Sequence, residues 1–412
     1  MTAPPPSTSS KEGNNAGDAS ALAERLKAVI KQRGPLSVRD FMADALYHPQ
    51  DGYYMSAAAH GRKSPLGADG DFTTAPEISQ IFGEILGLWL VQSWLDMGSP
   101  CPLNLVELGP GRGTLMNDIL RAARLRPEFV DAAQIWLVET SGRLRHEQQK
   151  RLKPHNDARI EWVDRFTDVP GAPTLLVANE FFDCLPIAQY VWQQTGWHER
   201  VVGLNWESED FCFDMAPAPS LDRTLLAHPL GVTPTPVPST ATVITPLAAT
   251  TPPVAGDILE IGEEGQKLAA TIAQFLTTHS GRALIIDYGP AVSGYGESLQ
   301  AVRDHEFWPP LSDPGQADLT AHVDFQRLGA AALHEGAAFY GPQPQGRFLD
   351  RLGLALRVEA LCRARPEAEA DTIRQGAYRL SSPAQMGELF KVICLSSPAL
   401  APPAGFESAL AP

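Results

Sequence analysis

The chain is short of positive charge: 33 lysines and arginines stand against 48 aspartates and glutamates, for a formal net charge of -15. Proteins that bind mainly a nucleic-acid backbone carry basic faces, so that class is excluded and a cationic protein partner fits better. Cysteine is scarce too. Cys101, Cys184, Cys212, Cys362 and Cys394 form no C-x-x-C pair, which excludes the common zinc and disulfide frameworks and points to a reducing compartment. No apolar run reaches the length of a membrane span, so no membrane insertion is expected. Residues 1–19 lack both the apolar core of a secretory leader and the arginine-rich pattern of a mitochondrial one. They read as a disordered tail, and a cytoplasmic location of bacterial type is expected. No internal repeat is present.

What is present is apolar bulk, 44% of 412 residues, enough for a large core in one large or two fused domains. The most informative stretch is L-N-L-V-E-L-G-P-G-R-G-T-L-M-N, residues 103–117. Leu103, Leu105, Val106 and Leu108 make an apolar run suited to a strand buried on both faces of a parallel sheet. Gly109, Gly111 and Gly113 then allow a sharp turn and close approach of backbone to ligand, and helical spacing resumes at Thr114. A dinucleotide fingerprint is G-x-G-x-x-G. Here Thr114 occupies the place of its third glycine, and Glu107 stands beside the turn. A carboxylate there disfavours a pyrophosphate and favours a ligand bearing an ammonium and a sulfonium. The pattern looks like motif I of the class I S-adenosylmethionine (SAM) methyltransferases; the alternative is a glycine turn that only packs a helix on a sheet.

Upstream, Leu22, Leu26, Val29 and Ile30 share a helical face that ends at Gly34-Pro35, and Ser37 can cap a second helix. Residues 57–70, rich in Gly and Ala, read as a mobile loop, part of a helical segment 20–100 covering the pocket. In G-D-F-T-T-A-P-E-I-S-Q-I-F-G (70–83) Thr74 and Glu77 are spaced as a capping box, with Ile78, Ile81, Phe82, Ile85 and Trp89 as the buried stripe. Glu77 is thus either a cap or a ligand contact.

Downstream, strands are expected at 135–138, 160–163, 174–178, 283–289, 337–340 and 389–395. Helices are expected at 262–279, 325–333 and 348–361. Glu139, at the end of the second strand, can accept two hydrogen bonds from ribose hydroxyls, unless it is an unrelated surface glutamate. Asp164, after the third, can accept from an adenine amino group. The fourth strand discharges into N-E-F-F-D-C-L-P-I (179–187), where open parallel sheets bind their ligands. Asn179 is read as a cofactor contact, and Glu180 and Asp183 as groups on the methyl acceptor; Asp183 has the alternative of capping a helix before Leu185-Pro186. Residues 188–216 alternate as a hairpin, and 230–253 are Pro/Thr-rich. This gives a first domain part over 101–187, an insertion over 188–256, the remainder over 257–396 and a tail over 397–412. His305, His322, Asp318 and Asp324 match no metal-ligand spacing, His322 and Asp324 alternating as in a strand, so no metal is expected.

Several blocks together resemble the MidA-like family of SAM-dependent methyltransferases. They are Y-H-P-Q-D-G-Y-Y (47–54), G-D-F-T-T-A-P-E-I-S-Q-I-F-G, V-E-L-G-P-G-R-G-T-L-M (106–116), V-E-T-S (138–141), N-E-F-F-D-C-L-P-I, D-Y-G (287–289), D-L-T-A-H-V-D-F (318–325) and M-G-E-L-F-K-V-I (386–393). The resemblance spans residues 37–394. Cys184 replaces a usual alanine, and the 57–70 loop and the Pro/Thr-rich stretch are departures. The resemblance implies an α/β fold with a mostly parallel, Rossmann-like sheet of class I methyltransferase type, a helical N-terminal segment and a β-hairpin insertion. It implies SAM as cofactor and, through mitochondrial members that methylate arginine and help assemble respiratory complex I, a subunit of the respiratory NADH dehydrogenase as substrate.

The residues by themselves support methyl transfer, an in-line displacement helped chiefly by positioning. On the reading implied for arginine, a carboxylate holding one side of the guanidinium leaves the opposite nitrogen freer to attack. Glu180 is the first choice, with Asp183 and Glu77 behind it. A small-molecule methyltransferase, a SAM-binding assembly factor without turnover and an NAD(P)-linked oxidoreductase are the rival readings, the last disfavoured by Thr114.

Overall fold

In a computed structural model of the chain, residues 21–56, 71, 73–155, 158–194, 196–218, 252–363 and 365–406 are described. The expected tail 1–19, the loop 57–70 and nearly all of the Pro/Thr-rich stretch lie outside them. Among the described residues no helix is long and apolar enough to cross a membrane.

The centre is a seven-stranded sheet. In chain order its strands are β1 (Leu103–Leu108), β2 (Ala133–Val138), β3 (Arg159–Val163), β4 (Thr174–Asn179), β5 (Gly281–Tyr288), β6 (Ala338–Pro344) and β7 (Phe390–Ser396). They lie in the order β3-β2-β1-β4-β5-β7-β6. β1 to β5 run parallel, and β7 is antiparallel to both β5 and β6. All six residues of β1 are buried, because helices cover both faces. Leu103 and Leu105 point into one core with Ile81, Leu86, Ile119 and Leu284. Val106 and Leu108 point into the other with Leu176, Ile272, Leu276 and Phe325. Each such side chain contributes about 1.5–3 kcal/mol on burial. The order reverses between β1 and β4, and their outgoing segments separate there to open a cleft.

The hairpin expected at 188–216 is present, in a sheet of its own inserted between β4 and β5. Ala188–Gln193 pairs with Gly196–Leu204, which also pairs with Leu36–Ser37 and Phe211–Met215. Ile258–Ile261 joins the free side of Ala188–Gln193. A third sheet combines Gln300–Arg303, Glu306–Trp308 and Asp318–Thr320.

Several local expectations are corrected. The helix expected at 348–361 is two, Gln345–Arg351 and Leu354–Cys362, divided at Gly353 with φ 88°. His322 lies past the end of its strand, and Asp324 accepts the Arg327 N–H (3.0 Å) to cap helix Phe325–His334. The buried stripe that begins at Ile78 crosses a break. Ala75–Ile78 is a single turn, Ser79 is extended (φ -158°, ψ 133°), and its hydroxyl caps a new helix, Gln80–Asp96.

Helix Gln80–Asp96 lies very close to helix Thr114–Ala123, which starts at the glycine turn. A Cβ on Gly83 would stand 2.5 Å from the Asp118 Cβ, and one on Gly87 2.9 Å from the Ile119 carbonyl oxygen. Gly83→Leu is therefore expected to destabilise the protein by about 2–4 kcal/mol through overpacking. Denaturant unfolding measures this; a loss under about 0.5 kcal/mol contradicts the packing described.

Candidate active site

The chain leaves β1 through Gly109, Gly111 and Gly113, whose φ values of 59°, 52° and 77° lie where side chains are strained. Gly109 also lies against the segment leaving β4, where a Cβ would come within 2.5 Å of the Phe181 ring. Between this turn, the ends of β2 and β3 and residues 179–185 lies a cavity of about 430 Å³, the size of a site for one small cofactor or ligand. Glu77, Glu107, Gly109, Gly111, Glu139, Asp164, Asn179 and Glu180 line it. Gly113 and Asp183 do not. Gly113 is the N-cap of helix Thr114–Ala123 and packs on Gln148, so its role is to seat the helix.

Two buried acceptors in the wall lack donors. Glu107 is 3% exposed; its carboxylate takes the Met116 N–H, but Oε2 has no hydrogen-bond partner among the described residues. Burial pushes its pKa up to about 8. Asn179 spends its Nδ2 on Glu180 Oε1 (3.0 Å), leaving its own Oδ1 buried and unpartnered. Orphaned buried acceptors are costly, and a ligand ammonium supplies the missing donors and charge. The residues thus fit SAM: Glu107 and Asn179 would hold its amino-acid end, and the turn at Gly109 and Gly111 lets it approach the backbone.

At the other end, Glu139 is held by the Ser141 N–H (2.8 Å) and by Gln148 Nε2 (3.2 Å). An ionised carboxylate has about four lone-pair sites, so room remains for ribose hydroxyls. Burial raises its pKa, while these bonds oppose the rise. Gln148, which sequence reasoning missed, joins three elements. It is fully buried, its Nε2 also donates to the Gly111 carbonyl (2.8 Å), and its Oε1 accepts from the Trp162 indole (2.7 Å). One of two adjacent glutamines in a polar helix gives no signal of this in the sequence. Asp164 is exposed at the rim and paired with Arg145 (2.6 Å).

The capping box at Thr74 and Glu77 is not formed. The Thr74 carbonyl, not its side chain, takes the Glu77 N–H (2.9 Å). Glu77 instead accepts the Thr114 hydroxyl and pairs with Arg112 (3.4 Å), which leaves it already occupied.

Beyond β4, Glu180 has φ 49°. Its Oε1 accepts the Ala75 N–H (2.8 Å) besides the Asn179 amide, and burial pushes its pKa up to about 7. Asp183 caps no helix, since residues 184–187 form none. It is buried behind the cavity, where it takes a hydrogen bond from Tyr288 and burial pushes its pKa up. The segment is fixed by Asp287, fully buried at the end of β5. One oxygen accepts the N–H groups of Phe181 (3.1 Å), Phe182 (2.9 Å) and Asp183 (3.2 Å), and the other that of Tyr288 (2.9 Å).

A doubly wound sheet, a glycine turn flanked by an acid and a cavity bearing unpaired acceptors define a class I SAM-dependent methyltransferase. Comparison with known proteins makes the assignment specific: residues 85–343 match the model of a family described as S-adenosyl-L-methionine-dependent methyltransferases. The chain belongs to this family, the MidA-like one its motifs resemble. It is 35% identical to the protein arginine methyltransferase NDUFAF7 homolog, mitochondrial, of Drosophila melanogaster, over 95% of this chain and 87% of that protein. It is 32% identical to human protein arginine methyltransferase NDUFAF7, mitochondrial, over 89% and 81%. A crystal structure of a Burkholderia thailandensis protein bound to S-adenosyl-homocysteine superimposes with a TM-score of 0.76 at 26% identity, covering 94% of each chain.

The Glu107 pKa has a testable consequence. Between the ordinary glutamate range and about 8 the folded apoprotein keeps a proton that the unfolded chain has released. Stability therefore falls as pH rises through this window. Thermal unfolding from pH 5 to 8 is expected to show wild type losing stability relative to Glu107→Gln, by a few kcal/mol at most. Saturating SAM should reverse the order by supplying the cation. Parallel pH curves without SAM count against the unpaired carboxylate. Glu139→Ala is expected to weaken SAM binding by about 1–3 kcal/mol, as read by titration calorimetry; unchanged affinity moves the ribose contact elsewhere.

Proposed function

We propose that this methyltransferase modifies an arginine in a protein, and that the protein is a subunit of the respiratory NADH dehydrogenase. The observation that carries the acceptor assignment is Glu180, a carboxylate in the cavity wall held by a backbone amide and a side-chain amide. Acids stand behind it, Asp183, Asp287 and Asp318, so the region suits a cation. The names of the curated relatives support arginine as the acceptor; the respiratory target rests on the family resemblance.

SAM supplies the electrophilic methyl group. Glu180 accepts N–H donors on one side of the guanidinium and concentrates charge there, so the nitrogen on the far side becomes the nucleophile; it takes the methyl as the C–S bond breaks and S-adenosylhomocysteine leaves, and it releases one proton to water. The segment anchored on Asp287 keeps Glu180 aligned, which is where most of the acceleration arises. Glu77, engaged by Thr114 and Arg112, orients the start of the cofactor-side helix, and Asp183 acts from behind the wall. The thiols Cys101, Cys184, Cys212, Cys362 and Cys394 are all free, which suits a reducing compartment; we read it as cytoplasmic, whereas the curated relatives are labelled mitochondrial.

Mass spectrometry of the NADH dehydrogenase subunits from cells with and without the gene tests the substrate: a methylarginine that vanishes with the gene is expected. Glu180→Gln should leave SAM affinity nearly unchanged and lower methylation at least about a hundredfold. Because Glu180 must be ionised to hold the guanidinium, wild-type kcat/KM should rise with pH and level off above about 7. Wild-type turnover by Glu180→Gln excludes the carboxylate clamp, and an unchanged methylation pattern favours a small-molecule acceptor or a binding role without turnover.

A further inference from the structure

Tyr47 and Tyr54, the two ends of Y-H-P-Q-D-G-Y-Y, line the same cavity as Glu180. Helix Val38–Tyr47 ends there, and the chain doubles back so that the amides of Tyr53 and Tyr54 return to the carbonyls of Ala45 (2.9 Å) and Leu46 (3.1 Å). The rings of Tyr47 and Tyr54 stack as a result, with centroids 6.0 Å apart and planes 23° from parallel. Both hydroxyl protons are committed. Tyr47 donates to the Cys184 backbone carbonyl (2.9 Å), an atom that can only accept. Tyr54 donates to Oδ1 of Asp318 (2.7 Å), a carboxylate 3% exposed on the third sheet.

A phenol that has given its proton away has only lone pairs left to offer. Glu180, whose Oε1 already takes the N–H groups of Ala75 and Asn179, likewise offers only lone pairs when ionised. This end of the cavity is thus set to one hydrogen-bond polarity: Tyr47, Tyr54 and Glu180 all accept. A guanidinium is the matching group, planar, with five N–H donors and no lone pair. A urea of the same shape, with an oxygen in place of one nitrogen, would set a lone pair against lone pairs.

We propose that Tyr47 and Tyr54 are specificity-determining residues of the acceptor site, which with Glu180 select a side chain that only donates. Asp318 serves as a positioning residue that keeps the Tyr54 proton out of the cavity. The proposal rests on the reading of arginine as acceptor and adds how arginine is distinguished from neutral groups of its shape. Sites built to hydrogen-bond one polarity reject a mismatched analogue far more strongly than sites that recognise shape alone.

The test compares binding of the peptide Gly-Gly-Arg-Gly-Gly with that of the same peptide carrying citrulline, by calorimetry with S-adenosylhomocysteine present. Wild type should prefer arginine by at least about a hundredfold. Tyr54→Phe and Tyr47→Phe should each reduce that ratio about tenfold while S-adenosylhomocysteine affinity stays within about threefold. In Asp318→Asn the amide can donate to Tyr54 and turn its hydroxyl into the cavity, so citrulline should bind more tightly than to wild type. A purely structural role would weaken both peptides alike. An unchanged ratio in both phenylalanine variants overturns the proposal and leaves arginine methylation standing; a wild type without preference for arginine overturns both.

Discussion

Four backbone N–H groups converge on the carboxylate of Asp287, three of them consecutive and on one oxygen. That convergence ties the exit of β4 to the end of β5. It forces the chain to turn within one residue of the sheet, and the left-handed backbone of Glu180 is the local cost, of order 1–3 kcal/mol. In return Phe181 is carried against Gly109, and Glu180 and Asn179 are set in the wall of the cavity. Burial and the neighbouring charge of Asp183 push the Asp287 pKa up, and the amides oppose that rise. The glycine turn and the wall carrying Glu180 are thereby held together by a residue that does not itself line the cavity.

The sequence made the central sheet legible because strands buried on both faces are apolar at successive positions, and β1, β2, β4, β5 and β7 all read that way. Glycines that must adopt positive φ announce themselves, and so do acids at strand ends. What stayed hidden depends on distant partners. The helix break at Ser79 looks like a continuous stripe, since Ile78 and Ile81 keep helical spacing; helix Glu367–Ser381, not foreseen, packs on that break, with a Cβ on Gly376 only 3.1 Å from that of Ser79. Thr74 and Glu77 have capping-box spacing, but a helix of one turn satisfies its amide with the Thr74 carbonyl and frees Glu77 for Thr114 and Arg112. Asp183 resembles a cap only while the irregular course of 184–187 is unknown.

Acid placement shows a division of labour by burial. Exposed Asp164 is neutralised by Arg145, and Glu77 by Arg112. Glu107 and Glu180 are instead left with raised pKa values in a wall where Arg112, already paired, is the cationic side chain among the described residues. Such groups make the apoprotein less stable than it would otherwise be, and they are where a cationic ligand gains most.

The position of β7 has a consequence for how the enzyme is made. It lies between β5 and β6, antiparallel to both, so residues 390–396 must enter the sheet after both neighbours exist. Leu36–Ser37 likewise waits for Val201 and Val202. During synthesis the edge of β5, which carries Asp287, stays open until residues 390–396 have left the ribosome. Contacts so distant along the chain form slowly. A nascent chain can therefore carry the whole glycine turn while one edge of its central sheet is still unpaired.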